Sequence, residues 1–342
     1  MGIQAYKDSE VGRIPRDWSV KQIGKIGYTY SGLTGKGKND FGKGNSRYIT
    51  FLNVLNNPVL RTDIFERVSV SEGEHQNLAL KGDLFFNTSS ETPEEVGICA
   101  LLDEDVPNLY LNSFCFGYRL TDPEVDGLFL SYFFRSKAGR DIMTMLAQGA
   151  TRYNLSKESF NKTLIAFPPL EEQKKIADAL SGVDNMVVAL DEAIAKKRQI
   201  KEGLMQQLLT GKTRLPGFGG EWLPKNLGKS ALIKARIGWQ GLTTKEYLDS
   251  GVYYLITGTD FKDGHIDWKN CHYVTRDRFE QDQYIKIQKH DVLVSKDGTI
   301  GKVAYLDDIS GPGTLNSGVF VIRSKDKQIS QRYLAKVFVS KY

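Results

Sequence analysis

The sequence contains little cysteine and little histidine, and this limits the chemistry that it can perform. Its 342 residues include three cysteines and four histidines. The cysteines show no paired spacing, which argues against a disulfide framework or a structural zinc site. The histidines lack the spacing of metal ligands. We therefore expect a reducing compartment, which points to the cytoplasm, and no metal bound by this chain.

Long apolar runs are also absent. No run approaches the roughly 18 residues of a membrane span, and the start "MGIQAYKDSEVG" lacks the apolar core of a signal peptide. The composition, with 40% hydrophobic and 25% charged residues, is that of an ordinary globular protein. The sequence therefore predicts a protein that makes no contact with membranes.

Three short motifs resemble parts of catalytic sites, and each lacks an essential element. "TGKT" (210–213) looks like the end of a phosphate-binding loop, but Gln206 stands in place of its first glycine. "FPPL" (167–170) has Phe167 where adenine methyltransferases carry a polar residue. "EEQKK" (171–175) has the Glu-x-Lys of nucleases but no acidic strand before it. These motifs do not support catalysis by this chain.

One predicted helix is far longer than the average globular helix of about 11–12 residues. Pro168 and Pro169 precede it, Glu171 and Glu172 place acidic charge in its first turn, and Gly211 follows its end. Residues 171–209 would span about 58 Å. Apolar residues recur with the alternating three- and four-residue spacing of a coiled-coil seam: Ile176, Leu180, Val183, Val187, Leu190 and Ile194. Lys197 and Lys201 interrupt this seam, and it resumes at Leu204 and Leu208. A core helix lying along a large domain is the alternative.

The chain also repeats itself. "DWSVKQIG", which contains Trp18, returns as "EWLPKNLG", which contains Trp222, 204 positions later. "LNSF" at Leu111 returns as "LNSG" at Leu315 with the same offset. This period is much longer than solenoid repeats of about 20–50 residues, so it indicates a duplicated domain. Because Tyr342 corresponds to Ala138 of the first copy, we expect residues 139–211 to have no counterpart.

Each copy contains short runs rich in β-branched and aromatic residues, separated by Gly, Asp and Asn, together with a helical segment. The pattern predicts an α+β fold with a twisted, mainly antiparallel sheet in each copy. The predicted domains are residues 1–167 and 215–342, with the long coiled-coil-type helix within 168–214. Residues 215–342 contain 19 Lys and Arg and 14 Asp and Glu. This surplus of positive charge permits a polyanionic partner.

Polar loops follow the predicted strands and are suited to binding a nucleic acid. The loop "SGLTGKGKNDFGKGNSR" (31–47) carries four basic residues against one acidic residue, with five glycines. Such a loop can follow a phosphate backbone and present side chains to base edges. A solvated, mobile loop is the alternative. In the first copy we expect Lys36, Lys38, Lys43 and Arg152 to contact phosphates, and Asn39, Thr88, Ser89 and Tyr153 to lie near base edges. The candidate contacts of the first copy are Lys36, Lys38, Asn39, Lys43, Thr88, Ser89, Thr151, Arg152, Tyr153 and Asn154. Those of the second copy are Trp239, Gln240, Thr243, Thr244, Lys245, Lys296, Asp297 and Thr299.

Several of these segments resemble a known family. The run from "NLSKESFNKTLIAFPPLEEQKK" to "LTGKTRLPGF" (154–218) looks like the conserved region of type I restriction-modification specificity subunits. "IPRDWSVKQIG" and "GWQGLTTKEYLDSGVYYLITGTDFKDGHIDW" resemble their target-recognition domains. The resemblance implies a subunit without catalysis, in which two such domains bind the two halves of a split site in double-stranded DNA.

The resemblance also implies partners. Two long antiparallel helices set the gap between the half-sites and dock methyltransferase subunits, which endonuclease subunits join. We expect no cofactor in this chain and S-adenosylmethionine in the methyltransferase. The family covers the apolar helix stripe with the helix of the second repeat. We therefore expect a homodimer through this helix or a second chain that supplies the missing region, unless the first domain folds back over the stripe.

Two other functional classes stay open at this point. The chain could be an enzyme that modifies nucleic acid, although cofactor and metal motifs were not found. It could also be a coiled-coil adaptor whose duplicated domains bind peptide or sugar. The sequence does not give the bases of a DNA target, because loop residues do not map directly onto bases.

Overall fold

The computed structural model describes residues 5–238, 241–325 and 329–340. The chain divides into two compact units that meet between Ala189 and Leu190. This boundary falls inside the long helix, so the predicted domain limits 1–167, 168–214 and 215–342 stay a prediction. Among the described helices, none combines the length and the apolar character that a membrane span requires.

The first unit combines short helices with strands. Its helices are α1 (Ile23–Ile26), α2 (Phe51–Asn56), α3 (Gly127–Arg135), α4 (Lys137–Leu146), α5 (Lys157–Lys162) and the start of α6 (Leu170–Leu208). Its strands are β1 (Tyr6–Ser9), β2 (Gly12–Pro15), β3 (Ser19–Gln22), β4 (Gly27–Ser31), β5 (Phe41–Ile49), β6 (Glu66–Val68), β7 (Leu84–Asn87), β8 (Ser89–Ser90), β9 (Cys99–Leu101), β10 (Leu109–Leu111), β11 (Cys115–Leu120), β12 (Ala147–Gln148), β13 (Tyr153–Leu155) and β14 (Leu164–Phe167).

The second unit contains the same kinds of element. Its helices, after the end of α6, are α7 (Leu227–Ser230), α8 (Arg276–Glu280) and α9 (Gln331–Val339). Its strands are β15 (Ala231–Ala235), β16 (Tyr253–Ile256), β17 (Phe261–Lys262), β18 (His265–Ile266), β19 (His272–Val274), β20 (Val292–Ser295), β21 (Val303–Tyr305), β22 (Gly313–Leu315) and β23 (Val319–Ser324).

The sheet topology confirms the duplication. The main sheet has the order β4-β11-β7-β9 in the first unit and β15-β23-β20-β21 in the second, and all of these pairs are antiparallel. A second sheet has the order β10-β5-β6 in one unit and β22-β16-β19 in the other. In both units its first pair is parallel and its second pair is antiparallel. The predicted α+β class with mainly antiparallel sheets is therefore confirmed.

An aromatic cluster forms the centre of the first unit's core. The ring of Phe86 on β7 lies 5.3 Å from that of Phe116, 5.1 Å from that of Phe134 and 4.8 Å from that of Phe160. All four side chains are buried. Through these contacts β11, α3 and α5 all pack against β7. Because β7 ends at Asn87, the loop that follows it starts from a rigid position.

A buried ion pair holds corresponding strands together in both units. Arg119 on β11 donates from Nε and Nη2 to the two carboxylate oxygens of Asp83, at 2.8 and 2.7 Å. Arg323 on β23 makes the same two bonds to Asp291, at 2.6 and 2.7 Å. Both aspartates are almost completely buried. Each pair therefore fixes the residue just before β7 or β20 to the neighbouring strand.

A glycine next to this pair is required by its surroundings. A Cβ at Gly117 on β11 would lie 2.1 Å from the ring of Tyr30 on β4. Tyr30 donates its hydroxyl to Asp83 Oδ2 at 2.6 Å, and the Arg119 guanidinium lies 5.2 Å from the centre of its ring. Burial, followed by the charge of Asp83, raises the pKa of Tyr30. The phenol therefore stays a proton donor to the carboxylate.

The predicted long helix is confirmed as α6. Gln173, which is buried, ties its first turn to the first unit, because its amide donates to the carbonyls of Glu124 at 3.0 Å and Pro168 at 2.8 Å. Further along, Tyr132 donates to Asp184 Oδ2 at 2.7 Å. The helix ends shortly before Gly211, whose φ of 72° is left-handed and typical of a helix terminus.

The repeated ion pair gives the first prediction. Asp83→Ala leaves Arg119 without its carboxylate, and loss of one partner of a buried pair costs about 3–5 kcal/mol. We expect Asp83→Ala to destabilise the first unit and Asp291→Ala to destabilise the second. Urea unfolding followed by amide exchange, which separates the two units, measures both effects.

The control for this prediction is Lys137→Ala. It removes a pair with Asp141 in which both side chains are largely exposed, and such pairs contribute about 0–1 kcal/mol. Unchanged exchange in β7 and β11 of the Asp83→Ala variant would show that the pair does not hold these strands.

Candidate nucleic-acid interface

The basic loop of the first unit has an ordered backbone. Thr34 and Gln76 exchange two hydrogen bonds, with the Thr34 N–H donating at 3.1 Å and the Gln76 amide donating back at 2.9 Å. The Gly37 N–H donates to Asp40 Oδ2 at 2.8 Å and closes a short turn. These bonds hold residues 34–40 of the loop in one conformation, which favours a defined surface over a mobile loop.

Lys36 differs from the expectation that it contacts phosphate. Its ammonium pairs with the Glu74 carboxylate, and its side chain is only 7% exposed. The hydrogen bond from Lys36 is the main cause that lowers the pKa of Glu74 to about 2. Because Lys36 has a local counter-charge and little access to solvent, we assign it to holding the loop. Lys38, Asn39 and Lys43 are exposed, so their side chains are accessible to a partner.

Lys43 lies in an irregular part of β5. The register of β5 with β6 shifts between Phe41 and Ser46, so the intervening residues leave the ladder. Gly42 and Gly44 flank the lysine with φ values of 78° and 101°, a region that favours glycine. A Cβ at Gly44 would also lie 2.5 Å from the Val68 carbonyl oxygen. The two glycines therefore let the chain bulge outward and present Lys43 to solvent.

The structure brings together two candidate segments that are more than 60 residues apart in sequence. Strand β13 pairs with β8, so that Tyr153 lies opposite Ser90 and Asn154 lies opposite Ser89. The Leu155 N–H also donates to the Thr88 carbonyl at 2.8 Å. The predicted contacts around Thr88 and those of residues 151–154 therefore form one surface. Within it Ser89 is buried, whereas Thr151, Arg152 and Asn154 are exposed.

A buried side chain braces the loop after the central strand in each unit. Asn87 accepts a hydrogen bond from the Ile98 N–H at 2.6 Å and donates to the Glu95 carbonyl at 2.8 Å. In the second unit Ser295 accepts from the Lys302 N–H at 2.9 Å and donates to the Thr299 carbonyl at 2.7 Å. The braces are equivalent although the residue types differ. They hold the base of the loop and leave its outer residues free to vary.

A second tether joins these loops to the turn before β11 or β23. The Thr88 N–H donates to the Phe114 carbonyl at 2.9 Å, and the Lys296 N–H donates to the Gly318 carbonyl at 2.8 Å. The Lys296 ammonium lies 5.2 Å above the ring of Phe320. Asp297 and Thr299 beside it are exposed. The candidates of this loop in the second unit therefore occupy the position that Thr88 and Ser89 occupy in the first.

The other candidate loop of the second unit is only partly described. Trp239 and Gln240 lie outside the described residues. Thr243 is committed to a local cap, because its N–H and hydroxyl donate to Glu246 Oε2 at 2.9 and 3.0 Å. Thr244 and Lys245 are exposed. Thr243 is thus placed for structure, and Lys245 remains the basic candidate here.

A buried arginine near this loop was not anticipated. Arg236 is 2% exposed and donates to the Leu315 carbonyl at 2.9 Å and to Thr314 Oγ1 at 3.1 Å. Its third bond goes to Gln281 Oε1 at 3.2 Å, an oxygen that Arg278 also contacts. Burial lowers the pKa of Arg236. The sequence offered no signal for this network, because its members are brought together only by the fold.

A cleft of about 780 Å³ lies beside the basic loop and was also missed. Lys38 lies on its lining, together with the exposed apolar side chains of Leu52 and Phe114. A signal for it was present in the sequence. The repeated motif "LNSF" and "LNSG" differs between the copies at Phe114, the residue that faces this cleft.

The described residues offer little for catalysis. No group of three or more His, Cys, Asp or Glu within them could hold a metal ion. The three cysteines are free and buried. Burial raises the pKa of the Cys115 thiol to about 12 and that of Cys271 to about 12, so both are neutral thiols at physiological pH. The chemistry available on the exposed loops is hydrogen bonding and cationic charge, which suits binding.

The predicted helix stripe is exposed along most of α6. Ile176 is the exception, because it packs against the core of the first unit next to the buried Ala177. The first domain therefore covers the beginning of the stripe, and Ile176 does not belong to a free interface. Leu208 is half-buried. The remaining members are between 43% and 60% exposed: Leu180, Val183, Val187, Leu190, Ile194 and Leu204.

Comparison with known proteins points to one family. A sequence profile described as the type I restriction modification DNA specificity domain matches residues 15–202 and 240–342, well over half of the chain. One similar protein is the specificity subunit assigned to the MjaX type I restriction enzyme of Methanocaldococcus jannaschii. It is 25% identical over 315 residues, which cover 87% of this chain and 71% of the relative.

A second relative and a solved structure agree with this result. The MjaVIII specificity subunit of the same organism is 25% identical over 237 residues, which cover 64% of this chain and 53% of that protein. This chain therefore spans about half of that relative. The crystal structure of the S subunit of a type I restriction-modification system from M. genitalium aligns with a TM-score of 0.50 and 17% identity, over 94% of this chain and 77% of that one. At this level of sequence identity, the structural similarity shows a shared fold.

Proposed function

The chain belongs to the type I restriction modification DNA specificity domain family, and from this membership we propose that it is the DNA-recognition subunit of a type I restriction-modification complex. Each α+β domain binds one half of a split site in double-stranded DNA. The chain performs no catalysis itself. Its proposed partners are methyltransferase subunits, which supply S-adenosylmethionine, and an endonuclease subunit. These act on DNA in the cytoplasm.

The observation that carries this proposal is one scaffold with two different sets of loop residues. The sheet order, the buried Arg–Asp pair and the loop tethers are the same in both units. The half-buried residues at the start of the corresponding loop differ, with Thr88 in the first unit and Lys296 in the second. Base edges are distinguished by donors, acceptors and apolar contacts. Two copies of a binding domain that differ in these groups suit two different half-sites.

The long helix has a proposed role of its own. We assign α6 the function of a spacer that sets the gap between the half-sites, and of a surface on which the methyltransferase subunits dock. Its exposed apolar stripe supports a role in assembly, because contiguous apolar surface of this kind marks interaction sites. An adaptor that binds peptide or sugar would need the stripe as well, but it would not need two sets of polar and basic loops.

The first test selects DNA from a pool of random duplexes with the full chain and its methyltransferase partner. We expect the selected duplexes to share a split sequence with a constant gap. Thr88→Ala should change the preference in one half only, and Lys296→Ala should change it in the other half only. Selection of a single continuous motif, or of no motif, would contradict the proposed function.

The second test concerns charge. Lys38→Ala with Lys43→Ala should weaken binding to every duplex. It should also reduce the slope of log K against log salt by about 1.8, since each phosphate contact contributes about 0.9. Lys137→Ala is the matched control, because Lys137 is exposed, lies on α4 outside the candidate loops and pairs with Asp141, and it should leave the slope almost unchanged. Equal slopes for the wild type and the double variant would show that the basic loop does not contact DNA.

We also propose that the exposed stripe of α6 pairs with the same stripe of a second copy. The first half of the helix carries more acidic residues and the second half more basic residues. Antiparallel pairing about a two-fold axis near Leu190 therefore places opposite charges side by side and repeats each contact. Burial of each large apolar side chain contributes about 1.5–3 kcal/mol, which supports a stable dimer.

Light scattering tests the dimer. We expect twice the mass of the chain for the wild type, and a monomer for Val187→Asp with Leu190→Asp, which places two charges at the centre of the stripe. Val188→Asp is the matched control, because Val188 is 57% exposed but lies outside the seam. A wild-type monomer whose helix remains folded would contradict the proposed pairing. Association only with a different chain would also contradict it, and would show that the stripe binds that chain.

A further inference from the structure

The cleft beside the basic loop presents apolar side chains to solvent. Phe114 is 57% exposed and Leu52 is 62% exposed, and both line the cleft. Phe41 and Tyr48 line the same cleft and pack edge to face with their ring centres 5.0 Å apart. Exposed apolar surface at the mouth of a cleft is typical of a binding site. Lys38 lines the same cleft, so cationic and apolar groups occur together.

The backbone of Phe114 is rigidly held. Its N–H donates to Asn112 Oδ1 at 2.8 Å, and its carbonyl accepts from the Thr88 N–H at 2.9 Å. Asn112 is buried and donates in turn to the Ile49 carbonyl at 3.0 Å. The backbone of Phe114 is thereby held next to that of Thr88, in the loop for which base contacts are predicted.

The second unit shows that this turn does not need an aromatic side chain. Gly318 occupies the same position, with its N–H donating to Asn316 Oδ1 at 2.8 Å and its carbonyl accepting from Lys296 at 2.8 Å. The same turn therefore forms without any side chain at this position. Because the Phe114 ring is neither buried nor required by the turn, its presence in the first unit points to a ligand.

We propose that Phe114 contacts the C5-methyl group of a thymine in the half-site bound by the first unit, with Leu52 as a second apolar contact. This inference rests on the proposed function and adds a residue that determines specificity. The thymine methyl is the apolar group among the base edges of the major groove, and Phe is one of the side chains that can contact it. Lys38 on the same cleft suits a phosphate of the same DNA.

The test replaces each thymine of that half-site, one at a time, by deoxyuridine, which removes only the methyl group. Binding is measured with the full chain and its methyltransferase partner. At one position the wild type should bind about fourfold more weakly, as expected for the loss of one buried methyl-sized group. Phe114→Ala should bind the thymine duplex more weakly and show no further loss with deoxyuridine at that position. Phe114→Leu, which keeps an apolar contact, should retain part of the effect.

Phe218→Ala is the matched control, because Phe218 is 69% exposed and lies in the segment that follows α6 in the sequence, outside the candidate loops. It should behave as the wild type. A half-site without thymine, or a deoxyuridine effect that persists in Phe114→Ala, would overturn the inference. So would weaker binding of Phe114→Ala without any methyl dependence, which would indicate insertion between base steps instead. Failure of the wild type to distinguish any sequence would refute the proposed function itself, and is separate from these outcomes.

Discussion

The buried bidentate pair between an arginine and an aspartate is the constraint on which the rest of the structure depends. It occurs as Arg119 with Asp83 and again as Arg323 with Asp291. A buried carboxylate needs a charged or hydrogen-bonding partner, and the guanidinium fork satisfies both of its oxygens with one geometry. The same guanidinium also donates to a neighbouring carbonyl, of Leu78 at 2.9 Å and of Lys286 at 2.5 Å. Each pair therefore fixes the start of the central strand, the adjacent strand and the preceding loop in one arrangement.

Because buried ion pairs hold the scaffold together, the sequences of its exposed loops can change with little effect on stability. Asn87 and Ser295 brace the same backbone position with different side chains. Substitutions at exposed positions away from such braces usually change stability by no more than about 0.5 kcal/mol. Recognition residues on these loops can therefore diverge while the fold persists. The replacement of Phe114 by Gly318 in an otherwise identical turn shows the extent of this freedom.

The long helix α6 packs against the core of the first unit at its start. Its first turns are stabilised by tertiary contacts, through the buried Gln173 and Ala177 and through Ile176 against the core. From Leu180 to Leu204 the members of its apolar stripe are exposed. Most helical stability in proteins comes from packing of an amphipathic face, so this segment depends on whatever covers the stripe. In the proposed complex, burial of the stripe would therefore stabilise the helix, which would serve both as a spacer and as a contact surface.

The amino-acid sequence by itself determined the features that repeat or are local. The offset of 204 positions between Trp18 and Trp222 predicted a duplicated domain, and the apolar periodicity after Pro169 predicted one long helix. Tertiary structure alone decided which candidates are available to a partner. It paired Lys36 with Glu74, placed Asn154 beside Ser89 and buried Arg236. The reason is physical: periodicity and helix termini are set by residues close in sequence, whereas ion pairs and strand pairing join residues that are far apart until the chain has folded.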